Sequence, residues 1–273
     1  MGCTSWQETT DEYRSRHRVW RLAEPEAMAQ IADAMRHKKL VIADGHHRYE
    51  TALAYRDLAR AQGCHEGQAE YVMMTFVRVE TPGLTILPTH RIVHGLPDFD
   101  AQAFQRETER YFSWEEIPEQ EAGGGQVRRF MAILQEAGRE VQTFGAYLSL
   151  GRFVLLRRRP EVSLETLLPQ LAPSLRGLDV IVLHQVLLEK VLGISPLAVK
   201  EEKNLRYVRD AAQTVQQVDG NQAQVSFLLN PTPAPAVLEN ALAGLVMPQK
   251  STDFFPKLLS GLTVYNLDDP AVW

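Results

Sequence analysis

Apolar positions recur along the chain at two periods, near two and near 3.6 residues, in short blocks separated by Gly and Pro. The block "HRVWRLA" (17–23) alternates and predicts a strand. The next, "EPEAMAQIADAMRHKK", spaces Met28, Ile31, Ala32 and Met35 as a helix does, with Pro25 suited to its first turn. The run "LVIA" (40–43) predicts a short strand buried on both faces. A second helix is predicted over about 47–62, with Ala52, Tyr55 and Ala59 on one stripe. The segment 69–80 reads as a strand, and Pro82-Gly83 and Pro88 mark turns around a short extended piece.

Beyond Pro97 the pattern starts afresh. Helices are predicted over 99–112 and over 127–138, the second ending on Gly138, with "EAGGGQ" as a flexible join before it. Residues 141–159 read as a hairpin turning at Gly151. Asp179 is placed to cap a helix over 180–193 that stops at Gly193. Strand 204–209, helix 210–219, strand 223–230, helix 233–244 and strand 260–267 complete the chain. The expected fold class is mixed α/β (α+β), with a first unit over 1–98 and an α/β layer sandwich over 99–273.

Composition narrows the function classes. The chain has 273 residues, 45% hydrophobic, with a net charge of −5. With no basic stripe and no helix-turn-helix pair, the sequence argues against nucleic acid as a partner. No apolar run of membrane-spanning length occurs, and the N-terminal segment lacks the apolar middle of a secretory signal. Met1-Gly2 hints at myristoylation, but Trp6 stands where Ser or Thr is wanted. Two unpaired cysteines, Cys3 and Cys64, point to a reducing compartment. The expectation is a cytoplasmic protein acting on a small molecule.

The chemistry concentrates in "IADGHHRYETALAY" (42–55). A strand, a glycine turn and a helix start aim free backbone N–H groups at an anion. Asp44 is placed as the helix N-cap, and Gly45 allows close approach to the backbone. Arg48 can add a bidentate contact, and His46 and His47 supply N–H donors. Asp44 would repel a bare phosphate, so its presence implies a bridging Mg²⁺ or a general base acting on a hydroxyl. The bland reading is a solvated first turn. A zinc site built on scattered histidines, His90 and His94 among them, lacks a Cys pair or a His-Glu-x-x-His stretch.

Two further clusters are candidates for a substrate or second anion contact. One is Thr89, His90 and Arg91 in "LPTHRIVHG". The other is Gln249, Lys250, Ser251 and Thr252 in "MPQKSTDFFPKLLSG", which resembles part of a phosphate loop without its glycines. The arginines at 157–159 read as a solvated strand end, and His184 as a packed helix histidine.

Together "IADGHHRYETALAY", "GLTILPTHRIV" and "VMPQKSTDFFPKLLSGL", with "LDVIVLHQVLLEKVLGI" and "FLLNPT", resemble the bacterial and archaeal family called domain of unknown function 1015. Its members often carry a SpoOJ/ParA/ParB/RepB-like label. The Asp-Gly-His-His-Arg stretch is similar to the phosphate motif of the ParB/sulfiredoxin-like fold, which includes CTP-binding ParB proteins, sulfiredoxin and free-serine kinases. The resemblance implies phosphate contacts from Gly45, His46, His47 and Arg48, a catalytic or Mg²⁺-related Asp44, and a nucleoside di- or triphosphate as cofactor. Family members carry a longer region ahead of the Trp20 strand, with a Pro-Pro-Tyr-Asp-type segment that has no counterpart here. The kinases take their general base from such a region, so that role has no assignable residue. A phosphotransferase, a nucleotide-sensing ParB-like regulator and a metal-dependent hydrolase are the three functions to weigh.

Overall fold

A computed structural model of the chain describes residues 6–12, 14–64, 67–81, 83–120 and 124–267. Met1, Gly2, Cys3, Pro82 and the start of the 121–126 join lie outside the described residues. Contacts divide the chain into two units. The first holds the described residues up to Thr85 together with those from Phe254 onward, and the second is Ile86–Asp253.

In the first unit, strands β1 (Gln7–Thr10) and β2 (Arg16–Val19) pair antiparallel, with Gln7 opposite Val19. Helix α1 (Pro25–Met35) begins on the expected proline, and α2 (His46–Ala61) follows the glycine turn. The predicted strands at 40–43, 69–80 and 260–267 do not form ladders. Residues 68–70 make a single 3₁₀ turn instead. Leu40, Ile42, Val72, Met73, Met74, Phe76 and Val77 are exposed rather than buried. A strand covered on both faces needs neighbours at both edges and a layer on each side. Among the described residues of this unit, Gln68 is the only buried one, so no such layers exist for these segments.

Short strands β3 (Thr85–Leu87) and β10 (Asp253–Phe255) lie where the chain passes from one unit to the other. The second unit contains, in order, β4 (His90–Val93), α3 (Ala101–Thr108), β5 (Phe112–Ile117) and α4 (Gly124–Ala137). The hairpin β6 (Thr143–Leu148) and β7 (Arg152–Arg158) comes next, turning through Leu150 and Gly151 at positive φ. Three short helices, α5 (Leu164–Leu167), α6 (Pro173–Arg176) and α7 (Asp179–Val182), lead into a π-helix over Leu183–Val191. Then come α8 (Pro196–Lys200), β8 (Leu205–Val208), α9 (Ala211–Asp219), β9 (Val225–Leu228) and α10 (Ala234–Leu242).

Six of these strands form one sheet in the order β5-β7-β6-β9-β4-β8, antiparallel at every junction. Alternation along β6 sends Phe144, Ala146 and Leu148 to one face, where they meet Phe104 of α3 and Val182, Leu183 and Leu187 of the helical segment. Tyr147 faces the other side with Phe130 and Leu134 of α4 and Val218 of α9. Helices thus cover both faces of the sheet, which makes the unit a mixed α/β layer sandwich. Gly145 permits that packing, since a side chain there would collide with the Phe130 ring.

Three expectations are corrected. The division falls at 85/86 rather than 98/99, because β4 is an interior strand of the second unit's sheet. The helix predicted over 99–112 stops at Thr108, and β5 starts at Phe112 to pair with β7. Asp179 is the first residue of α7 and Leu178 holds the cap position, with no side-chain cap. Burial pushes the Asp179 carboxyl up to about 6. Among the described residues no helix is long and apolar enough to cross a membrane.

Candidate functional site

Gly45 sets the geometry of the first cluster. Its φ of 87° lies in the left-handed region that side chains disfavour, and it occupies the N-cap of α2 with no side-chain cap. Asp44, expected as the cap, therefore stands one residue too early for that role. Its Oδ1 accepts instead from the Gly45 N–H at 2.8 Å. The helix closes when the Tyr49 N–H reaches the Gly45 carbonyl at 3.0 Å. The N–H groups of His46, His47 and Arg48 precede that bond and have no intrahelical acceptor.

The charged side chains gather over this turn. The Arg48 guanidinium folds back onto Gly45 so closely that a Cβ there would lie 3.0 Å from its nearest terminal nitrogen and 3.1 Å from Nε. Lys257 places Nζ 3.2 Å from Asp44 Oδ2. Burial works to raise the Asp44 pKa. The Lys257 hydrogen bond and charge, the Gly45 N–H and the Arg48 charge outweigh it and hold the carboxyl below its usual range. His46 is exposed. His47 is fully exposed and turns toward Glu50, 3.3 Å away. Of the five predicted residues, Asp44, Gly45 and Arg48 form one compact group, and the two imidazoles face solvent beside it. Lys257 was missed by sequence reasoning, although it lies within the segment 247–261, two residues after Phe255.

The second cluster lies within the second unit and joins the other two predicted segments. Arg91, 1% exposed, points from β4 so that one terminal nitrogen donates to the Thr89 carbonyl and the other to the Lys250 carbonyl at 3.0 Å. Cross-strand register sets Arg91 opposite Tyr207, and the guanidinium stacks 5.1 Å from that ring's centroid. Side-chain bonds stitch the loop before β10 in place. Ser251 Oγ donates to the Pro248 carbonyl at 2.5 Å, Thr232 Oγ1 to the Ser251 carbonyl at 2.9 Å, and Gln249 Nε2 to the Val199 carbonyl at 3.2 Å. Lys250 has φ 58° and an exposed side chain, and Thr252 is half-buried. Arg209 pairs with Asp253 through Nη2 and Oδ1 at 2.9 Å.

His90 behaves differently from the expected substrate contact. Its ring is buried, and Nδ1 accepts from the Leu229 N–H at 3.2 Å. Burial, assisted by the Arg91 charge, lowers its pKa to about 4, so it is neutral at pH 7. It ties β4 to the end of β9 and offers no charge to a ligand.

Residues 4–181 match the model of a family described as Protein of unknown function (DUF1015). The chain belongs to this family. No curated protein and no solved structure matches it. The DUF1015 match takes in both Asp44–Arg48 and Thr89–Arg91 and ends before the loop that carries Lys250 and Lys257.

Among the described residues no three His, Cys, Asp or Glu side chains come together as a metal site. Asp44 alone suits a cation that brings its remaining ligands as phosphate oxygens and water, as Mg²⁺ on a nucleotide does. The histidine-based hydrolase expected as an alternative lacks a converging donor set among those residues.

Proposed function

We propose that the chain binds a nucleoside di- or triphosphate with Mg²⁺ at the Asp44–Arg48 turn and moves a phosphoryl group to the hydroxyl of a small molecule, a free amino acid being one candidate. The observation that carries this reading is the uncapped first turn of α2, with Arg48 folded over Gly45 and Lys257 beside Asp44. Three amide donors and two cations surround one turn, which suits a phosphate chain. Magnitudes agree. The helix terminus contributes at most about 2 kcal/mol, and each charge-assisted bond about 1.5–3 kcal/mol. Two or three such bonds approach the roughly 8 kcal/mol of a micromolar ligand.

The state of Asp44 supports one role over another. A carboxyl held below its usual range is a weak proton acceptor at neutral pH. Its fixed negative charge suits it to hold Mg²⁺, which would neutralise charge on the transferring group. Gly45, His46, His47 and Arg48 then bind and orient the phosphates. The similarity of this stretch to the ParB/sulfiredoxin-like fold and its free-serine kinases supports the same assignment. The weak base also favours a second reading, in which nucleotide is bound and sensed without transfer.

Thermal-shift titration of wild type and Arg48→Ala with ADP, ATP and CTP, each with Mg²⁺, tests binding. ³¹P NMR with a panel of hydroxyl compounds then tests transfer. Binding that Arg48→Ala abolishes, followed by substrate-dependent turnover, is the expected result. Binding without turnover for any acceptor sinks the transferase reading and leaves the sensor. No nucleotide binding sinks both.

A further inference from the structure

Among the described residues, Arg91 is a buried cation without a counter-ion. It is 1% exposed, and its partners are two main-chain carbonyls and the face of Tyr207. Arg91 takes part in none of the ion pairs among the described residues. Burying a charge without a paired opposite charge is costly, and the usual remedies are an ion pair or a charged ligand. Its Nε–H is also left without an acceptor, and a buried donor in that state calls for a missing partner.

The same neighbourhood holds two more buried polar atoms. Among the described residues His184 Nε2 makes no hydrogen bond, and Tyr207 Oη has only the Gln249 side chain as a polar neighbour. The Gln249 side chain comes near Tyr207 but directs its Nε2 to the Val199 carbonyl. His184 sits on the π-helix Leu183–Val191, a backbone form often found at functional sites. It is close enough for the Arg91 charge to reinforce the effect of burial, and its pKa falls to about 3. The neighbourhood therefore offers a buried positive charge, a planar donor fork, a hydroxyl and one neutral imidazole. This set matches a singly charged planar anion better than a phosphate dianion.

We propose that Arg91, flanked by His184 and Tyr207, is the binding site for the carboxylate of a small molecule, which takes the place of the Lys250 carbonyl on the guanidinium. The exchange concerns one main-chain contact of the loop, whose flanks stay held by the Gln249, Ser251 and Thr232 side-chain bonds. Lys250 holds its carbonyl there from a left-handed backbone that a non-glycine residue adopts under strain, and leaving that conformation releases the strain. Carboxylate binding at Arg91 stands on these contacts alone. Identifying the carboxylate with the phosphoryl acceptor, which would then be a hydroxy or amino acid, rests on the phosphotransferase reading.

The full chain, without nucleotide, is titrated with glycolate, L-lactate and L-serine, and in parallel with glycolamide, lactamide and L-serinamide. The readouts are calorimetry and the ¹⁵N signal of Arg91 Nε. The expected result is that at least one carboxylate binds and moves the Nε signal, while its amide does neither. Arg91→Lys should weaken that carboxylate at least tenfold, and His184→Gln several-fold with the melting temperature preserved. The proposal is overturned if no carboxylate perturbs Arg91 Nε, if amides bind as well as acids, or if folded His184→Gln and Tyr207→Phe both bind as wild type does. Should Arg91→Lys fail to fold, the Nε signal and the His184 and Tyr207 variants decide. Carboxylate binding with no phosphoryl transfer would count against the phosphotransferase reading and leave this one standing.

Discussion

Lys257 Nζ lies 3.2 Å from Asp44 Oδ2, a contact between residues 213 positions apart in the chain. It pairs an exposed acid with a cation beside the turn that starts α2. Lys257→Met should raise the Asp44 pKa toward that of a free carboxyl. Burial already pushes that carboxyl up, and the hydrogen bond and charge of Lys257 do most to hold it down. Titration of the Asp44 carboxyl by NMR checks this. Stability should change by no more than the roughly 0–1 kcal/mol of exposed ion pairs. Nucleotide affinity should fall about tenfold, a single charge-assisted contact.

Arg48→Ala separates binding from folding. The side chain is exposed and its guanidinium rests on the turn rather than in a core. Chemical unfolding should therefore match wild type to within about 0.5 kcal/mol. Nucleotide affinity measured by calorimetry should drop about 10–100-fold, as loss of a bidentate charged contact implies. A stability loss of several kcal/mol without nucleotide would make Arg48 a structural residue.

Gly45→Ala should be damaging for two reasons that act together. An L-residue at φ 87° costs roughly 1–2 kcal/mol. Its Cβ would also press on Arg48 at 3.0 Å and displace the guanidinium from the turn. Urea denaturation should register the first effect and nucleotide titration the second. Gly45→Ala combined with Arg48→Ala should restore none of the stability lost to backbone strain.

The elements most legible in the sequence are those whose signals are local. Helices α2 and α9 and the β6–β7 hairpin follow from apolar spacing and a glycine turn, and each forms within a few residues of expectation. The strands expected at 40–43 and 69–80 do not form, because apolar content marks a segment that wants burial and does not say what supplies the neighbours. Strand β5 was hidden because "FSWEEI" follows a helical pattern without a Gly or Pro to end it. At the candidate site, the turn was readable from Asp44 to Arg48, but the cap fell to Gly45. Lys257, His184 and Tyr207 were not selected because their roles depend on contacts across 100 residues or more, or on burial, neither of which spacing reveals.

Acid stability of the second unit should carry the signature of three buried groups. His90 and His184, with pKa values lowered to about 4 and about 3, stay neutral in the folded chain and become protonated on unfolding below about pH 6.5. Their contribution is fully present above that pH and is lost as the pH falls toward their folded values. Asp179 opposes them. Its carboxyl, raised to about 6, is protonated when folded and ionised when unfolded, so its contribution is present at low pH and lost as the pH rises through 6. Counting these three groups alone, between about pH 4 and 6 the unfolded chain binds two protons at the histidines and the folded chain binds one at Asp179; His94, whose pKa is lowered by burial and the Arg206 charge, adds in the direction of the histidines. The net of one proton gives a loss of about 1.4 kcal/mol per pH unit on acidification. Asp179→Asn should roughly double that slope, and His184→Gln should flatten it. Urea titrations at intervals across this range measure all three slopes, and a wild-type slope of zero would mean that at least one histidine is solvated and charged.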